Sequence, residues 1–173
     1  ANNIEILSDT IVYFENKKMG VFKNNILLKM ANDKDTLFLR SDSMYFQNNN
    51  LQAKQNVKFF SKEIQGKSEL MSYKTKTKEI KLEEEPIIWS SNYQIKGDEI
   101  KIKIKNNKIE NLSVTINPFF SEKTESGFFN QIKGDKINII FKENKVKKIS
   151  VKKSVTSIYL VEEENKVKGF NKT

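Results

Sequence analysis

The chain has 173 residues, of which 37% are hydrophobic and 31% are charged, and its formal net charge is +9. This length suits one domain, or a short row of repeating units with a shared core, and the six Gly and two Pro fit neither a collagen-like nor a disordered chain. There is no Cys and no His, which excludes a disulfide scaffold, a thiol nucleophile, a Ser-His-Asp triad and nearly every zinc site.

The N-terminal stretch "ANNIEILSD" lacks the basic and apolar regions of a signal peptide, and no run of about 18 apolar residues appears anywhere. We therefore expect a folded chain that does not span a membrane and whose export signal has been removed or left out. The first repeat is short: "SDTIVYF" from Ser8 is echoed by "SDSMYF" from Ser41.

Further along the chain, glycines recur at spacings of 31, 37 and 35 residues, namely Gly66, Gly97, Gly134 and Gly169, and apolar pairs followed by Ser precede the first three. Pro86 and Pro118 each open an apolar segment, which predicts a strand whose first residue needs no N–H. Helical periodicity is not convincing in any segment. The pattern predicts repeating strand units in one domain over residues 1–173, with no linker.

Two stretches of 22 residues are nearly the same: "YQIKGDEIKIKIKNNKIENLSV" from Tyr93 and "NQIKGDKINIIFKENKVKKISV" from Asn130. In the first copy Ile100, Ile102 and Ile104 alternate with Lys, and the chain returns through Leu112 and Val114. This period of two predicts a hairpin with one apolar and one Lys-rich face, turning at residues 106–107. Between residues 109 and 112 the alternation slips by one residue, which predicts a β-bulge.

The second copy predicts the same hairpin. Ile137, Ile139 and Phe141 alternate, residues 143–144 form the turn, and Ile149 and Val151 return after an equivalent slip between residues 146 and 149. Between the copies, residues 122–129 predict a loop excursion. The closing "KVKGFNKT" resembles the start of a third copy, so we expect either a chain that continues or one that ends on an unpaired sheet edge.

The carboxylates predict structural roles. "EEE" at residues 83–85 and again at 162–164 could hold a cation, but solvated turns are the more common outcome of such runs, and no calcium-loop motif is present. Asp98 and Asp135 could be a general acid and base, yet each follows Gly at the start of a strand, where a turn-capping carboxylate is expected. We predict no catalytic residue, no metal site and no cofactor.

The basic residues are almost all Lys, since Arg40 is the only Arg. Base readout favours Arg, and no nucleic-acid-binding motif accompanies the charge, so no nucleic-acid partner is predicted. The excess is concentrated late in the chain: residues 93–173 carry 17 basic and 10 acidic groups. This distribution indicates a solvated Lys face or an attraction for anionic ligands.

The segments "DTLFLRSDSMYF", "FNQIKGDKINIIF" and the stretch from Asn56 to Ile102 resemble the OstA-like (LptA-type) family of periplasmic lipopolysaccharide-transport proteins, in the variety found in Bacteroidetes-type bacteria. The resemblance implies a repeat-built, partly open β-jellyroll, shaped like a folded taco, whose apolar inside holds the acyl chains of lipid A. It further implies edge-to-edge stacking with similar proteins into a bridge across the periplasm. The family brings no catalytic residue.

Two hypotheses about function follow. The first is a non-catalytic module that carries lipopolysaccharide or another anionic lipid, with the inward apolar residues of both hairpins facing a groove. These residues are Ile100, Ile102, Ile104, Leu112, Val114, Ile137, Ile139, Phe141, Ile149 and Val151. The second is a structural repeat domain of a cell-envelope protein, in which the same sheet closes over a dry core and serves protein contacts. Separately, an unpaired sheet edge at the end of the chain predicts head-to-tail self-association, which would suit a bridge of stacked sheets.

Overall fold

The computed structural model of the protein describes residues 3–31, 35–62, 64–90, 92–106, 108–142, 145–163 and 166–173. This part of the chain is all-β apart from one short 3-10 turn at Glu15–Lys17. Its strands are β1 Asn3–Leu7, β2 Thr10–Phe14, β3 Met19–Ala31, β4 Thr36–Gln47, β5 Asn50–Phe60, β6 Gln65–Lys74, β7 Glu79–Glu83, β8 Ile87–Trp89, β9 Tyr93–Lys96, β10 Glu99–Lys105, β11 Lys108–Thr115, β12 Phe119–Lys123, β13 Phe129–Lys133, β14 Lys136–Lys142, β15 Lys145–Lys152, β16 Thr156–Glu163 and β17 Lys166–Lys172.

One antiparallel ladder connects these strands, and it divides into two sheets at β6. The first half of β6 pairs with β8, while its second half pairs with β7. From there one sheet continues through β9, β12, β13, β16 and β17, and the other through β10, β11, β14 and β15. The long strands β3 to β6 run through both sheets. The whole structure is therefore one sheet that is folded over on itself, and the fold line crosses these long strands.

The fold line consists of corners at which two successive residues adopt a left-handed backbone. Each pair has positive φ, and the pairs recur along the chain at Asn24–Asn25, Gln55–Asn56, Glu84–Glu85, Ile116–Asn117 and Lys153–Ser154. Two such residues redirect the chain sharply, because L-residues in a strand keep negative φ. The repeat in the sequence therefore has a structural cause: the chain returns to the fold line at regular intervals and turns there each time.

The strand beside each left-handed pair passes the corner with a small residue followed by an acidic one. Asp42 and Asp98 accept hydrogen bonds through Oδ2 from Nδ2 of Asn56 and Asn117, at 2.7 and 2.8 Å. Gly97 has no room for a side chain, because a Cβ there would collide with Cγ1 of Val114. The "SD" phrases at Ser8 and Ser41 and the "GD" phrases at Gly97 and Gly134 therefore occupy equivalent places.

Both predicted hairpins form with the predicted bulges. In β10–β11, Lys103 pairs with Asn111 and Ile104 with Ile109, which leaves Glu110 as the extra residue. In β14–β15, Ile140 pairs with Lys148 and Phe141 with Val146, so Lys147 is extra. The predicted turn residues 107, 143 and 144 lie outside the described residues. The loop predicted between the copies is present at residues 124–128.

The interpretation of "KVKGFNKT" as the start of a new unit is wrong. These residues belong to β17, the returning strand of a third hairpin with β16. Val161 pairs with Gly169 and residue 162 with Val167, so Lys168 is the extra residue of a third bulge. Gly169 was aligned with Gly134 by sequence, but in the structure it is equivalent to Lys148 of the previous hairpin.

One core of buried apolar side chains fills the space between the two sheets. It draws on the long strands as well as on the hairpins, and its fully buried members include Leu39, Met44, Leu82, Ile88 and Phe120. Alternation accounts for it: in β10 the even-numbered Ile residues point inward and the Lys residues point to solvent. At roughly 25 cal/mol per Å² of apolar surface, this burial dominates the stability of the fold.

Candidate functional site

The inner face of the folded sheet is where the structure brings all ten predicted groove residues together. Seven are buried in one cluster: Ile100, Ile102, Leu112, Val114, Ile137, Ile139 and Phe141, none more than 6% exposed. Ile104, Ile149 and Val151 are half-buried and pack against that cluster. All ten belong to the sheet that contains β10, β11, β14 and β15. Whether these residues contact a lipid stays a prediction.

The opposite sheet supplies the other half of the inner face, which the sequence prediction left out. Ile95, Phe120 and Ile132 face the predicted residues from β9, β12 and β13. The Tyr93 ring lies 6.1 Å from the rings of both Phe120 and Phe141, so it joins the two sheets. Phe120 and Ile95 each stand at an alternating position, and that signal would have identified them.

The long strands contribute further residues that sequence reasoning missed. Leu28, Leu39, Phe59 and Met71 are buried in the same core. Their alternation is interrupted by corner residues in the middle of each strand, which hides the period of two from a short window. The inner face is therefore predominantly apolar from β3 to β15, with the buried Ser41 and Ser68 at the corners as polar exceptions.

Two of the three Phe-Phe pairs divide between the faces of the sheet, whereas Phe128 and Phe129, where the loop enters β13, are both exposed. Phe59 is buried while Phe60 is 55% exposed, and Phe120 is buried while Phe119 is half-buried on the outside. Lys96 and Lys133 lie over the Phe119 ring at 5.1 and 5.8 Å from its centroid, which keeps this outward ring between two cations.

The outer face of β7, β10 and β11 carries an ion-pair network. The Lys81 Nζ lies 2.6 Å from a Glu83 carboxylate oxygen and 2.8 Å from one of Glu99, and the Lys101 Nζ lies 3.0 Å from Glu99. Hydrogen bonds from Lys81 and Lys101 lower the pKa of Glu99 to about 2, against the opposing effect of burial. The same contacts to Glu83 and Glu99 raise the pKa of Lys81. Lys101, Lys103 and Lys105 are exposed on the face opposite the Ile stripe, as predicted.

Of the carboxylates singled out by sequence, only some lie at turns and corners: residue 83 ends strand β7 and residues 162–163 belong to β16, so the prediction of solvated turns is wrong for these three. Glu84 and Glu85 form the exposed corner between β7 and β8, and the Asp98 carboxylate accepts the corner hydrogen bond from Asn117. The Asp135 N–H donates to the carbonyl of Lys152 at 3.1 Å. Residue 164 lies outside the described residues. Among the described residues, no three acidic side chains are grouped so that they could hold a metal ion.

In the described part of the chain, both ends of the folded sheet are formed by edge strands that are paired on one side only. Within the described residues, β1 and β2 pair with β3 alone, while β15 pairs with β14 alone and β17 with β16 alone. Apolar side chains are exposed there: Ile11 is 58% and Tyr13 64% exposed at one end, and Val161 is 52% and Phe170 69% exposed at the other. No helix of the described residues is long and apolar enough to cross a membrane.

An antiparallel sheet folded lengthwise over an apolar interior, with two open ends, defines the protein as an open β-jellyroll. The sequence model of the LptA/(LptD N-terminal domain) LPS transport proteins matches residues 2–108, which is more than half of the chain. The chain therefore belongs to this family, and the predicted family and fold class are confirmed.

A solved structure shares the fold. It is LptH from Pseudomonas aeruginosa, described as the LptA homologous periplasmic component of the conserved lipopolysaccharide transport device. The two chains superpose with a TM-score of 0.54 at 7% sequence identity, covering 66% of this chain and 82% of LptH. No curated protein matches the sequence.

Proposed function

We propose that the protein is a periplasmic module that carries lipopolysaccharide, with the acyl chains held between its two sheets. The observation that carries this proposal is the continuous apolar inner face, found in a chain that belongs to a lipopolysaccharide-transport family. Burial of each CH₂ group contributes about 0.8 kcal/mol, so a few acyl chains bind well without any polar contact. The members of the family are lipopolysaccharide-transport proteins. Holding acyl chains in an apolar groove requires no catalytic group.

Entry of the chains requires the two sheets to separate at the side opposite the corners. Beyond β6 the sheets are joined through corners such as Glu84–Glu85 and Ile116–Asn117, which can act as hinges. Ile104, beside the hairpin turn, and Ile149 and Val151, on the edge strand β15, are half-buried, whereas Ile100 and Ile139 are fully buried. The first three are therefore the groove residues most accessible to an acyl chain. The ten predicted groove residues then form one wall.

The predicted partners follow from the two open ends. Exposed apolar side chains and unpaired edges at β1 and β2, and at β15 and β17, suit addition of a strand from another jellyroll of the same family. A contact between unlike ends is heterologous, so copies or relatives would stack into a bridge rather than close into a dimer. The Lys excess would attract the anionic groups of the lipid over longer distances.

The test compares neighbouring residues that point to opposite faces. A photo-crosslinking amino acid at Ile104, on the inside, should capture radiolabelled lipopolysaccharide, whereas the same residue at exposed Lys103 should not. Val151 and Lys152 form a second matched pair in the other hairpin. Equal labelling of inward and outward positions would place the lipid elsewhere.

The structural repeat domain is the competing function, and the complete burial of Ile100, Val114, Ile137 and Ile139 favours it. If the core stays dry, crosslinking fails at every inward position and extraction of protein purified from a lipopolysaccharide-producing cell yields no bound lipid. Recovery of lipopolysaccharide together with labelling at Ile104 would reject this alternative.

A further inference from the structure

A shallow groove lies on the outer surface of the sheet that contains β8 and β9. It is close to the lip of this sheet, which is the edge opposite the corners, where β5 and β8 end. Its volume is about 380 Å³, and it is lined mainly by Phe38, Arg40, Lys58, Phe60 and Trp89. The groove crosses β4, β5, β6 and β8 close to strand ends, because β5 ends at Phe60 and β8 ends at Trp89. Its charged side chains and the rings of Phe38, Phe60 and Trp89 stand on the outer side of the sheet, and the buried Phe59 of the inner face reaches its floor beside Gly66.

Register places two rows of side chains across the groove. Phe38 pairs with Phe60, and beyond Gln65 the same row reaches Trp89. The neighbouring row joins Arg40 to Lys58 and Lys58 to Lys67. Because adjacent strands lie about 4.8 Å apart, the three cations span roughly 10 Å alongside an aromatic wall.

The cations of this groove are available to a ligand. Arg40, Lys58 and Lys67 are exposed, and among the described residues none of them lies within 4.0 Å of a carboxylate oxygen. Lys58 and Lys67 also line the next crevice, at the corner, together with three carboxylates, those of Glu69, Glu84 and Glu85. Arg40 is the only Arg of the chain, and guanidinium groups bind phosphate and carboxylate with two parallel hydrogen bonds.

The aromatic wall is fixed in place. The Trp89 Nε1–H donates to Oε1 of Gln94 at 2.9 Å, which holds the indole on the outer face. Phe60, at the end of β5, is 55% exposed and offers its ring to solvent. Flat apolar walls beside a row of cations fit a ligand with an apolar ring face and anionic substituents.

We infer that this outer groove binds the anionic saccharide part of the carried lipid, as it emerges past the lip. The inference rests on the proposed function for the origin of the saccharide. Pocket volumes for small ligands run from about 300 to 1,000 Å³, which this groove meets, whereas a protein partner needs about 800 Å² of surface on each side. A bilayer is a poor fit, because the twist of a sheet turns successive strands away from a plane.

Soluble probes test the groove without involving the inner face. Trp89 is the only Trp, so its fluorescence reports on the groove directly. Titration with trehalose 6-phosphate should give a saturable change, while trehalose and inorganic phosphate should give much weaker responses. Arg40→Gln should weaken binding about tenfold or more, because a hydrogen bond to a charged group is lost. Phe60→Asn should also weaken it.

Lys148→Gln is the matched control, since it removes one exposed positive charge from the other sheet and should leave the titration unchanged. Unaltered thermal melting of each variant shows that folding is intact. Absence of saturation, equal binding of inorganic phosphate, or tighter binding of an acidic peptide would overturn the inference. Crosslinking of lipid at Ile104 without saccharide binding would retain the proposed function and reject the groove.

Discussion

The residues at the corners adopt a left-handed backbone that most L-residues disfavour, because the folded sheet requires a sharp change of direction there. At four of the five corners the first left-handed residue is Asn24, Gln55, Glu84 or Lys153, none of which is β-branched. At the remaining corner it is Ile116, with φ of 61°. A branched Cβ in this conformation is strained by the nearby carbonyl. Pairing of the flanking strands holds Ile116 there nonetheless.

Replacing Ile116 should therefore stabilise the protein. Ile116→Asn relieves a left-handed penalty of order 1–2 kcal/mol for a residue that is 60% exposed, so little burial is lost. We expect the free energy of unfolding in urea to rise by about 1 kcal/mol. Ile116→Val keeps the branched Cβ and should bring no gain. A decrease for Ile116→Asn would mean that the side chain makes a contact of its own.

The ion pairs of Glu99 make the stability of the fold depend on pH in the acidic range. Hydrogen bonds from Lys81 and Lys101 lower the pKa of Glu99 to about 2 in the folded state, below its ordinary value of 4.5. A lowered folded pKa contributes stability that is present above the unfolded pKa and is lost as the pH falls toward the folded one. Unfolding free energy should thus decline between about pH 4.5 and 2.

The variant Glu99→Gln isolates this contribution. It should be less stable than the wild type near neutral pH and should lose part of the decline in acid, so the two stability curves approach each other as the pH falls. Glu125→Gln, at an exposed residue of the turn between β12 and β13, is the control and should preserve the wild-type curve. Parallel curves for Glu99→Gln and the wild type would show that the network does not couple to folding.

The three C-terminal hairpins repeat one element, in which a single extra residue interrupts a regular ladder. Glu110, Lys147 and Lys168 are the extra residues, each two or three positions into the returning strand. In the first two hairpins the apolar side chains on both sides of the bulge face the core: Ile109 and Leu112 in one, Val146 and Ile149 in the other. The bulge bends the strand and increases its twist at the lip without moving the core residues.

Deletions in the β14–β15 hairpin should separate these two effects. Removing Lys147 restores a regular ladder and keeps Ile139 and Ile149 inside, so the protein should fold with a modest change in melting temperature. Removing Asn138 from the partner strand shifts the register by one and turns a buried Ile outward, at about 1.5–3 kcal/mol for each residue exposed. Equal damage from both deletions would assign the bulge an essential role in the core.

At the scale of the whole molecule, the proposed assembly depends on the hydrogen-bonding groups at the ends of the sheet. The Ser157 N–H donates to the carbonyl of Thr173 and the Thr173 N–H donates back, so these two residues form a hydrogen-bonded pair. In an antiparallel ladder, such pairs alternate, and the N–H of Lys172 therefore points away from β16 toward the free edge. This edge is available to a strand of another chain.

Lys172→Pro should weaken end-to-end assembly while leaving the β16–β17 ladder in place, because proline removes one outward donor and is tolerated on edge strands. Sedimentation over a concentration series should show the wild type and Lys172→Ala associating, and Lys172→Pro shifted toward monomer. A wild type that remains monomeric at millimolar concentration would rule out self-association through this edge.

Alternation, turn residues and repeated phase slips are local signals, and they predicted the hairpins, their bulges and the direction of all ten groove residues. Period two assigns each side chain to a face before any partner is known, as Ile100 and Lys101 illustrate. The same reasoning failed at Gly169, because a local phrase cannot tell an outgoing strand from a returning one. Pairing with Val161 across the hairpin decides that.

The corners and the outer groove were decided by tertiary structure. Asn24–Asn25 and Ile116–Asn117 share a backbone conformation although their sequences differ, because strand pairing over long sequence distances imposes the fold line on whichever residues reach it. Phe38, Lys58 and Trp89 come from three strands far apart in the chain, and register alone makes them neighbours. The sequence by itself determined which face each strand residue takes, whereas the pairing of distant strands determined which faces meet.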